Sequence, residues 1–393
     1  MPDVVVVGGG PGGAAAAIEL ARAGLDVALF DKASFPRDKC CGDGLTTGAL
    51  RRLESLGLTP ATVPSWQVVD DVWVRSVSGR EVCFPLPRGR GVYAAVARRV
   101  DLDAALLDVA RAAGVKVHDG HGVVGVVGAS GTTVEVDGIG PVSADYVVAA
   151  DGMWSPMRKF LGVDEPGYLG EWHAVRQYFC DVTGPAATQL WVWFEAALLP
   201  GYAWSFPLPD GRANVGFGIR RAPGTPTKVM KAQWEQVLAL PHVQAALGPS
   251  ARPEAPHKAW PIPARVGTSA LTACEGRVLF VGDAARATDP MTGEGIGQAL
   301  ETGMLAAASI LGGEPYEAAV RRGLAVDNRL ADFLSRHALA HRKGVRTAVR
   351  VAGLTAWTRR NFARWLFEDY PRAVLGTPSR WGEHRLTGPG AYR

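Results

Sequence analysis

The stretch Asp3-Val-Val-Val-Val-Gly-Gly-Gly-Pro-Gly-Gly13 decides the fold, together with Ala14 to Ala23 and Leu25-Asp-Val-Ala-Leu-Phe-Asp31. The β-branched run is too short for anything but a buried strand. Gly8, Gly10 and Gly13 then set a G-x-G-x-x-G loop around Pro11, and a helix is predicted from Ala14 to Ala23. Gly24 ends the helix and a second strand closes on Asp31. A βαβ unit of this length with an acidic residue at the end of its second strand is the dinucleotide-binding fingerprint. The glycines give a tight turn, room for a pyrophosphate against the backbone, and close packing of helix on strand. The pyrophosphate sits on the free N–H groups of the helix start. Asp31 is expected to accept from a ribose hydroxyl.

The chain contains its own control. Gly120-His-Gly-Val-Val-Gly125 also spells G-x-G-x-x-G. No helical pattern follows it. Val123–Val127, a Gly-Ala-Ser-Gly turn and Thr132–Val136 alternate as a hairpin instead, so this match is structural.

At 393 residues, 47% hydrophobic and 20% charged, the chain has room for two domains with cores of their own. It has no apolar run of 18 residues and no basic stretch ahead of its first strand, so neither a transmembrane helix nor a signal peptide is expected. Cys40, Cys41, Cys83, Cys180 and Cys274 show no C-x-x-C spacing, which argues against a metal site. Their odd number suggests free thiols and a cytoplasmic protein. Net charge is +4, but residues 314–393 carry 15 Lys and Arg against 7 Asp and Glu, net +8, which leaves the remainder at −4 (+4 less +8). That basic segment either faces an anionic membrane or acidic ligand, or is a solvated helical face. Nothing points to nucleic acid.

Further along, Lys32 to Thr46 is a loop of glycine, proline and charge, and Gly48–Leu56 and Arg99–Ala113 read as helices. Trp66–Phe84 reads as an excursion of strands. Ala144–Ala150 is a buried strand ending in Asp151-Gly152. From Tyr168 to Ile219 short β-like runs carry Trp172, Trp191, Trp193, Tyr202, Trp204 and Phe206 among other aromatics. These either fill a core or line a ligand wall. Val278–Asp283 returns as a strand, a helix follows from Gly293 to about Leu311, and Tyr316–Trp365 reads as helical. The tail from Pro371 reads as irregular.

Three stretches coincide in a known pattern: the glycine loop with Asp31, Ala150-Asp-Gly-Met-Trp-Ser-Pro-Met-Arg158, and Gly282-Asp-Ala-Ala with Asp289-Pro-Met-Thr-Gly-Glu-Gly-Ile296. Together they resemble the p-hydroxybenzoate hydroxylase-type FAD fold from residue 3 to about 311. The resemblance implies FAD held at Gly8, Gly10, Pro11, Gly13 and Asp31. It implies that Asp283 holds a ribityl hydroxyl, and that the helix starting near Gly293 points its positive end at the flavin edge where negative charge develops. Arg99, Asp151 and Arg158 match family positions near FAD. Gly282, Pro290, Gly293, Gly295 and Ile296 are expected at the cofactor on the same ground.

Phe35-Pro-Arg-Asp-Lys-Cys-Cys-Gly-Asp-Gly-Leu-Thr46 and Tyr202-Ala-Trp-Ser-Phe-Pro-Leu208 further resemble geranylgeranyl reductase-like enzymes, with Cys41 at the family's cysteine. Cys40 stands where relatives often have proline. Lys32, Arg37, Cys41 and Gly42 are then expected beside FAD, and Cys41, Tyr202 and Trp204 in the catalytic region. Cys41 is either a proton-relay or positioning group, or a small buried hydrophobe.

The implied architecture is α/β. A discontinuous Rossmann-type FAD-binding domain covers 1–65, 96–165 and 270–315. An antiparallel-sheet substrate domain covers 66–95 and 166–269, and a helical segment covers 316–393. The implied activity is FAD-dependent reduction of isoprenoid C=C bonds, with NAD(P)H or another reductant as electron donor and an apolar tunnel of Trp193, Tyr202, Trp204 and Phe206. The protein is expected in the cytoplasm, with peripheral membrane contact through its basic segment and a small-molecule or lipid-like substrate. An aromatic hydroxylase is the alternative. A flavin-dependent halogenase ranks after it, because no lysine lies between Lys39 and Lys116.

Overall fold

The structure, a computed structural model, describes residues 1–128, 131–221, 228–367 and 389–393. Val4–Val7 (β1) is buried on both faces, as an all-valine strand in a parallel sheet must be. The helix α1 spans Pro11–Arg22 and the strand β2 spans Val27–Asp31. The helix begins three residues before the predicted Ala14, with Pro11 supplying the first φ. β1 lies between β2 and Tyr146–Ala149 in a parallel sheet, in register Val4 to Val27 and Val4 to Tyr146. Lys116–Asp119 extends one edge and Val278–Phe280 the other, with Thr272–Ala273 antiparallel at the end.

The strand predicted to reach Asp283 stops at Phe280. Gly282, at φ +59, turns the chain into a 3₁₀ turn over Gly282–Ala285. The following helix, Ile296–Ile310, lies on α1. A Cβ on Gly303 would stand 2.2 Å from the Gly12 carbonyl oxygen, so the two backbones touch.

The second large sheet is mostly antiparallel. Its central strands are Trp172–Cys180, Arg212–Arg220, Tyr202–Leu208 and Leu190–Trp193. Leu190–Trp193 pairs in parallel with Asp71–Arg75, which begins the next hairpin to Glu81–Pro85. The strand period of two sorts the aromatics by face. Trp191, Trp193, Phe217 and Trp234 pack into one buried cluster. Tyr202, Trp204 and Phe206 face the opposite side with Val192, which sits opposite Trp204. Trp193 therefore does not line the tunnel expected of it. It pairs with Ala203, one residue out of phase with Trp204, and is fully buried.

Among the described residues the C-terminal part forms five short helical segments rather than one pattern: Tyr316–Arg322, Leu324–Leu334, a π turn at Ser335–Leu339, Arg342–Ala352 and Ala356–Phe367. Gly323 and Gly353 sit at two of the breaks. The tail expected to be irregular lies largely outside the described residues. No described helix is long and apolar enough to cross a membrane.

Candidate functional site

A cavity of about 890 Å³ opens between the glycine loop, the 32–46 loop, the exposed face of the aromatic sheet and the C-terminal helices. Gly8 and Gly10 line its first end. Gly8, at φ +106, has its missing Cβ position 2.4 Å from the Ala150 carbonyl, so only glycine fits. Gly13 lies behind the wall, where a Cβ would meet the Gly8 carbonyl at 1.9 Å. Gly10 differs. Its Cβ position is open, with the nearest atoms being a guanidinium nitrogen of Arg99 at 3.8 Å and one of Arg37 at 3.9 Å. No side chain caps the start of α1 there, so its N–H groups and two arginines converge on one space. That arrangement suits a pyrophosphate.

The two arginines are fixed by a residue that sequence reasoning missed. Asp103, fully buried, accepts from Arg99 Nε at 2.7 Å and Nη2 at 2.6 Å, and from Arg37 Nη1 at 2.7 Å. Arg99 and Asp103 are four residues apart on one helix, a spacing that could have revealed the pair. Burial disfavours the Arg99 charge, but Asp103 outweighs it and holds the guanidinium protonated.

Asp31 lines the cavity beside Lys32. Its carboxylate accepts the Gly9 N–H at 2.7 Å and the Ala33 N–H at 2.8 Å. It thus ties the glycine loop to the end of β2 and keeps lone pairs for a ribose hydroxyl. Asp151 lines the cavity too, but accepts from Ser155 Oγ at 2.7 Å and the Met157 N–H at 2.8 Å, which secures the start of helix Pro156–Phe160. Burial pushes its carboxyl up to about 6 despite those bonds. Arg158 points elsewhere, to the carbonyls of Ala270, Ala284 and Val163.

Asp283 stands farther in. Lys39 Nζ donates to its Oδ2 at 2.9 Å. Gly282, Gly293, Gly295 and Ile296 line the wall around it, whereas Pro290 is not among the lining residues. The loop before Ile296 is held by Asp289, whose Oδ1 accepts the N–H groups of Met291 and Thr292, and by Tyr202, whose hydroxyl donates to the Thr292 carbonyl. No side chain caps helix Ile296–Ile310 at Gly295, so its positive end faces the cavity.

Cys41 and Gly42 line the wall opposite Trp204 and Phe206. A Cβ on Gly42 would meet those two rings at 3.5–3.6 Å, so the loop lies on the aromatic face. The Asp43 N–H donates to Cys41 Sγ at 3.4 Å, and burial, then the Asp43 charge, pushes the thiol up. Asp43 itself was missed. It is fully buried at φ +65, and its Oδ2 accepts from Tyr178 Oη at 2.6 Å and Asn214 Nδ2 at 2.8 Å. Asn214 also donates to the Cys41 carbonyl at 2.8 Å and accepts from Trp204 Nε1 at 3.2 Å.

Comparison with known proteins gives this geometry a family. The FAD binding domain profile matches residues 1–331. The chain belongs to that family. Within it, this FAD-dependent oxidoreductase is geranylgeranyl reductase-like. It is 33% identical over 377 residues to menaquinone reductase of Mycolicibacterium smegmatis, covering 85% of this chain and 84% of that protein. It is 32% identical over 357 residues to digeranylgeranylglycerophospholipid reductase 1 of Methanopyrus kandleri, covering 85% and 84%. Among solved structures, a geranylgeranyl bacteriochlorophyll reductase-like protein of Thermoplasma acidophilum superposes with a TM-score of 0.78 at 21% identity, covering 96% of this chain and 98% of that one. The halogenase PltM with phloroglucinol and FAD shares the fold at a TM-score of 0.70 and 17% identity, over 94% and 84% of the two chains.

The oxidoreductase's residues fit FAD. The open cradle at Gly10 would take the pyrophosphate, with Arg37 and Arg99 as counter-charges. Asp283 would hold the ribityl chain, and the helix at Ile296 would face the flavin's electron-accepting edge.

Proposed function

We propose that the oxidoreductase reduces C=C bonds of an isoprenoid chain. The observation that supports this most is the extent of the cavity. The same cavity that begins at the glycine loop runs past Cys41 and the Tyr202–Trp204–Phe206 face to Leu339, Val349, Phe362 and Phe367 of the C-terminal helices. A cofactor end lined by charge and a far end lined by apolar side chains suit a long apolar substrate whose reacting bond lies over the flavin.

Bound FAD, once reduced by NAD(P)H or another donor, supplies a hydride. The chain's own residues do the rest. Tyr202, Trp204 and Phe206 hold the apolar substrate and exclude water. Asp283 and the helix start at Gly295 orient the cofactor. Cys41, kept as a neutral thiol by burial, packs against the reacting region.

Full-length FAD-loaded protein, chemically reduced under anaerobic conditions, should convert digeranylgeranylglycerophospholipid to a product heavier by about 2 Da, as addition of two hydrogens to a C=C bond requires. A product formed only with O₂ and heavier by about 16 Da would replace this reading with hydroxylation.

The substrate class also suggests where the protein works. We propose that helix Arg342–Ala352 and the turn after it rest on an anionic membrane. Val345 and Val349 of this helix line the cavity, while Val351, Leu354 and Trp357 are more than half exposed. Arg342, Lys343, Arg346 and Arg350 of the same helix are exposed as well. Cationic side chains on a helix that leads into an apolar tip suit the charge and depth of a bilayer surface.

A further inference from the structure

The mechanism above leaves one buried group unused. Asp43 lines the cavity between Cys41 and the aromatic sheet, fully buried. One carboxyl oxygen, Oδ2, is held by Tyr178 and Asn214. The other, Oδ1, is buried without a hydrogen-bond partner among the described residues. A carboxylate with one unsatisfied buried oxygen is costly. A carboxylic acid in the same place costs less, because a proton on Oδ1 removes the charge.

We propose that Asp43 is the acid that gives up the proton in C=C reduction, a role that rests on the isoprenoid-reductase reading. Saturating a C=C bond breaks its π bond and forms two C–H bonds. The hydride, with both electrons, reaches one carbon from the reduced cofactor. The other carbon takes a proton as the O–H bond of Asp43 Oδ1 breaks. The carboxylate left behind keeps the hydrogen bonds of Tyr178 and Asn214 and faces the positive charges of Arg176 and Arg99. It then regains a proton from water, and no other oxidant or reductant is needed.

The neighbouring thiol is the rival donor, and acid strength decides between them. Burial pushes the Asp43 carboxyl up to about 6, while the hydrogen bonds of Tyr178 and Asn214 and the charges of Arg176 and Arg99 pull it down. Burial, then the Asp43 charge, holds the Cys41 thiol above the ordinary range near ~8.5. Cys40, whose thiol burial pushes up to about 12, also stays neutral. The carboxyl is therefore the stronger acid, and its value lies near working pH, where general acids are most effective.

The test uses full-length, FAD-loaded protein. Flavin is reduced chemically without oxygen and mixed with digeranylgeranylglycerophospholipid, which has no quinone ring to take the electrons, and its reoxidation is followed by absorbance. Wild-type rates should fall about tenfold per pH unit above pH ~6. Asp43→Asn should slow reoxidation by about 100-fold or more and flatten that profile, with FAD content unchanged. Tyr178→Phe removes a hydrogen bond to the ionised form, so its profile should move to higher pH. Difference infrared spectra of the oxidised holoprotein between pH 5 and 8 give a readout independent of turnover: Asp151 contributes a protonated-carboxyl band to both proteins, and wild type should show a second one that Asp43→Asn lacks. Equal rates and pH profiles in wild type and Asp43→Asn would overturn the proposal and leave the reductase reading standing. Identical carboxyl spectra in the two proteins would overturn it as well. Wild-type flavin that the substrate does not reoxidise would refute the reading and the proposal together.

Discussion

Lys39 Nζ lies 2.9 Å from Asp283 Oδ2, across 244 residues of sequence. The contact fastens the cysteine loop to the turn that follows the last parallel strand. Burial alone would favour a neutral Asp283, but the charge and hydrogen bond of Lys39, with help from Arg99 and Thr288, hold its carboxyl below the ordinary range. Asp283 is therefore ionised at neutral pH and ready to accept from a ribityl hydroxyl. Asp283→Ala should weaken FAD binding by about 1.5–3 kcal/mol, a loss of roughly ten- to a hundredfold in affinity by equilibrium dialysis. Lys39→Met should leave neutral-pH binding less affected, but move the acid-induced loss of FAD to higher pH, because Asp283 then protonates earlier.

Two glycines should separate folding from cofactor binding. Gly10 has φ −76 and an open Cβ position, so Gly10→Ala should change apoprotein stability by less than about 0.5 kcal/mol. The added methyl occupies the space between α1 and the two guanidinium groups, so FAD uptake should collapse. Gly303 does not itself line the cavity but packs behind Gly12, which does, and a Cβ there would meet the Gly12 carbonyl at 2.2 Å. Gly303→Ala should cost about 1–3 kcal/mol of stability by prising the two helices apart. Urea melts and flavin fluorescence of both variants check this pair of outcomes.

Stability should also carry the signature of Asp151. Its folded value of about 6 stands above the unfolded value near ~3.9, so the native state binds more protons between those limits. Stability contributed by this group is therefore present below pH ~4 and lost as pH rises toward ~6, at no more than about 1.4 kcal/mol per pH unit. Asp43 acts in the same direction. Asp38, Asp283 and Glu165 act in the opposite one below pH ~4, because their partners hold them low. Urea midpoints should peak at mildly acidic pH, and Asp151→Asn should reduce the decline between pH ~4 and ~6.

Membrane contact has a direct measurement. Wild-type protein should co-sediment with vesicles containing phosphatidylserine and release as salt rises. Leu354→Ser with Trp357→Ser should cut that binding at least about tenfold without altering FAD content, since neither side chain lines the cavity. Equal sedimentation of variant and wild type would remove this surface from consideration.

What the sequence revealed and what it hid follow from the range of each interaction. β1, α1 and β2 were legible because a strand, a glycine turn and an amphipathic helix are local, and the false match at Gly120–Gly125 failed on the same local grounds. The helix Arg99–Ala112 was found nearly residue for residue, though its most consequential contact, Arg99 with Asp103, was overlooked. The triad of Asp43, Tyr178 and Asn214 had no local signal. Tyr178 and Asn214 meet only because Trp172–Cys180 and Arg212–Arg220 pair in that register. Asp43 reaches them from more than 130 residues away, and its left-handed turn, which aspartate tolerates better than most residues, says nothing of that partner. The misplacement of Trp193 is a phase error: composition showed many aromatics, while only the alternation along Leu190–Trp193 and Tyr202–Leu208 shows which face each one takes.

The backbone contact between Gly12 and Gly303 bears on how the protein is made. The ribosome completes α1 early, but the helix that covers it, and the strand Val278–Phe280 that flanks Tyr146–Ala149, emerge only after the whole aromatic sheet has been synthesised. A nascent chain arrested near residue 270 has its glycine loop yet lacks Asp283 and the helix that presses against Gly12. The cavity wall is therefore complete only once the chain has passed residue 303. Until then the flank of α1 at Gly12 and Ala15 lacks its cover.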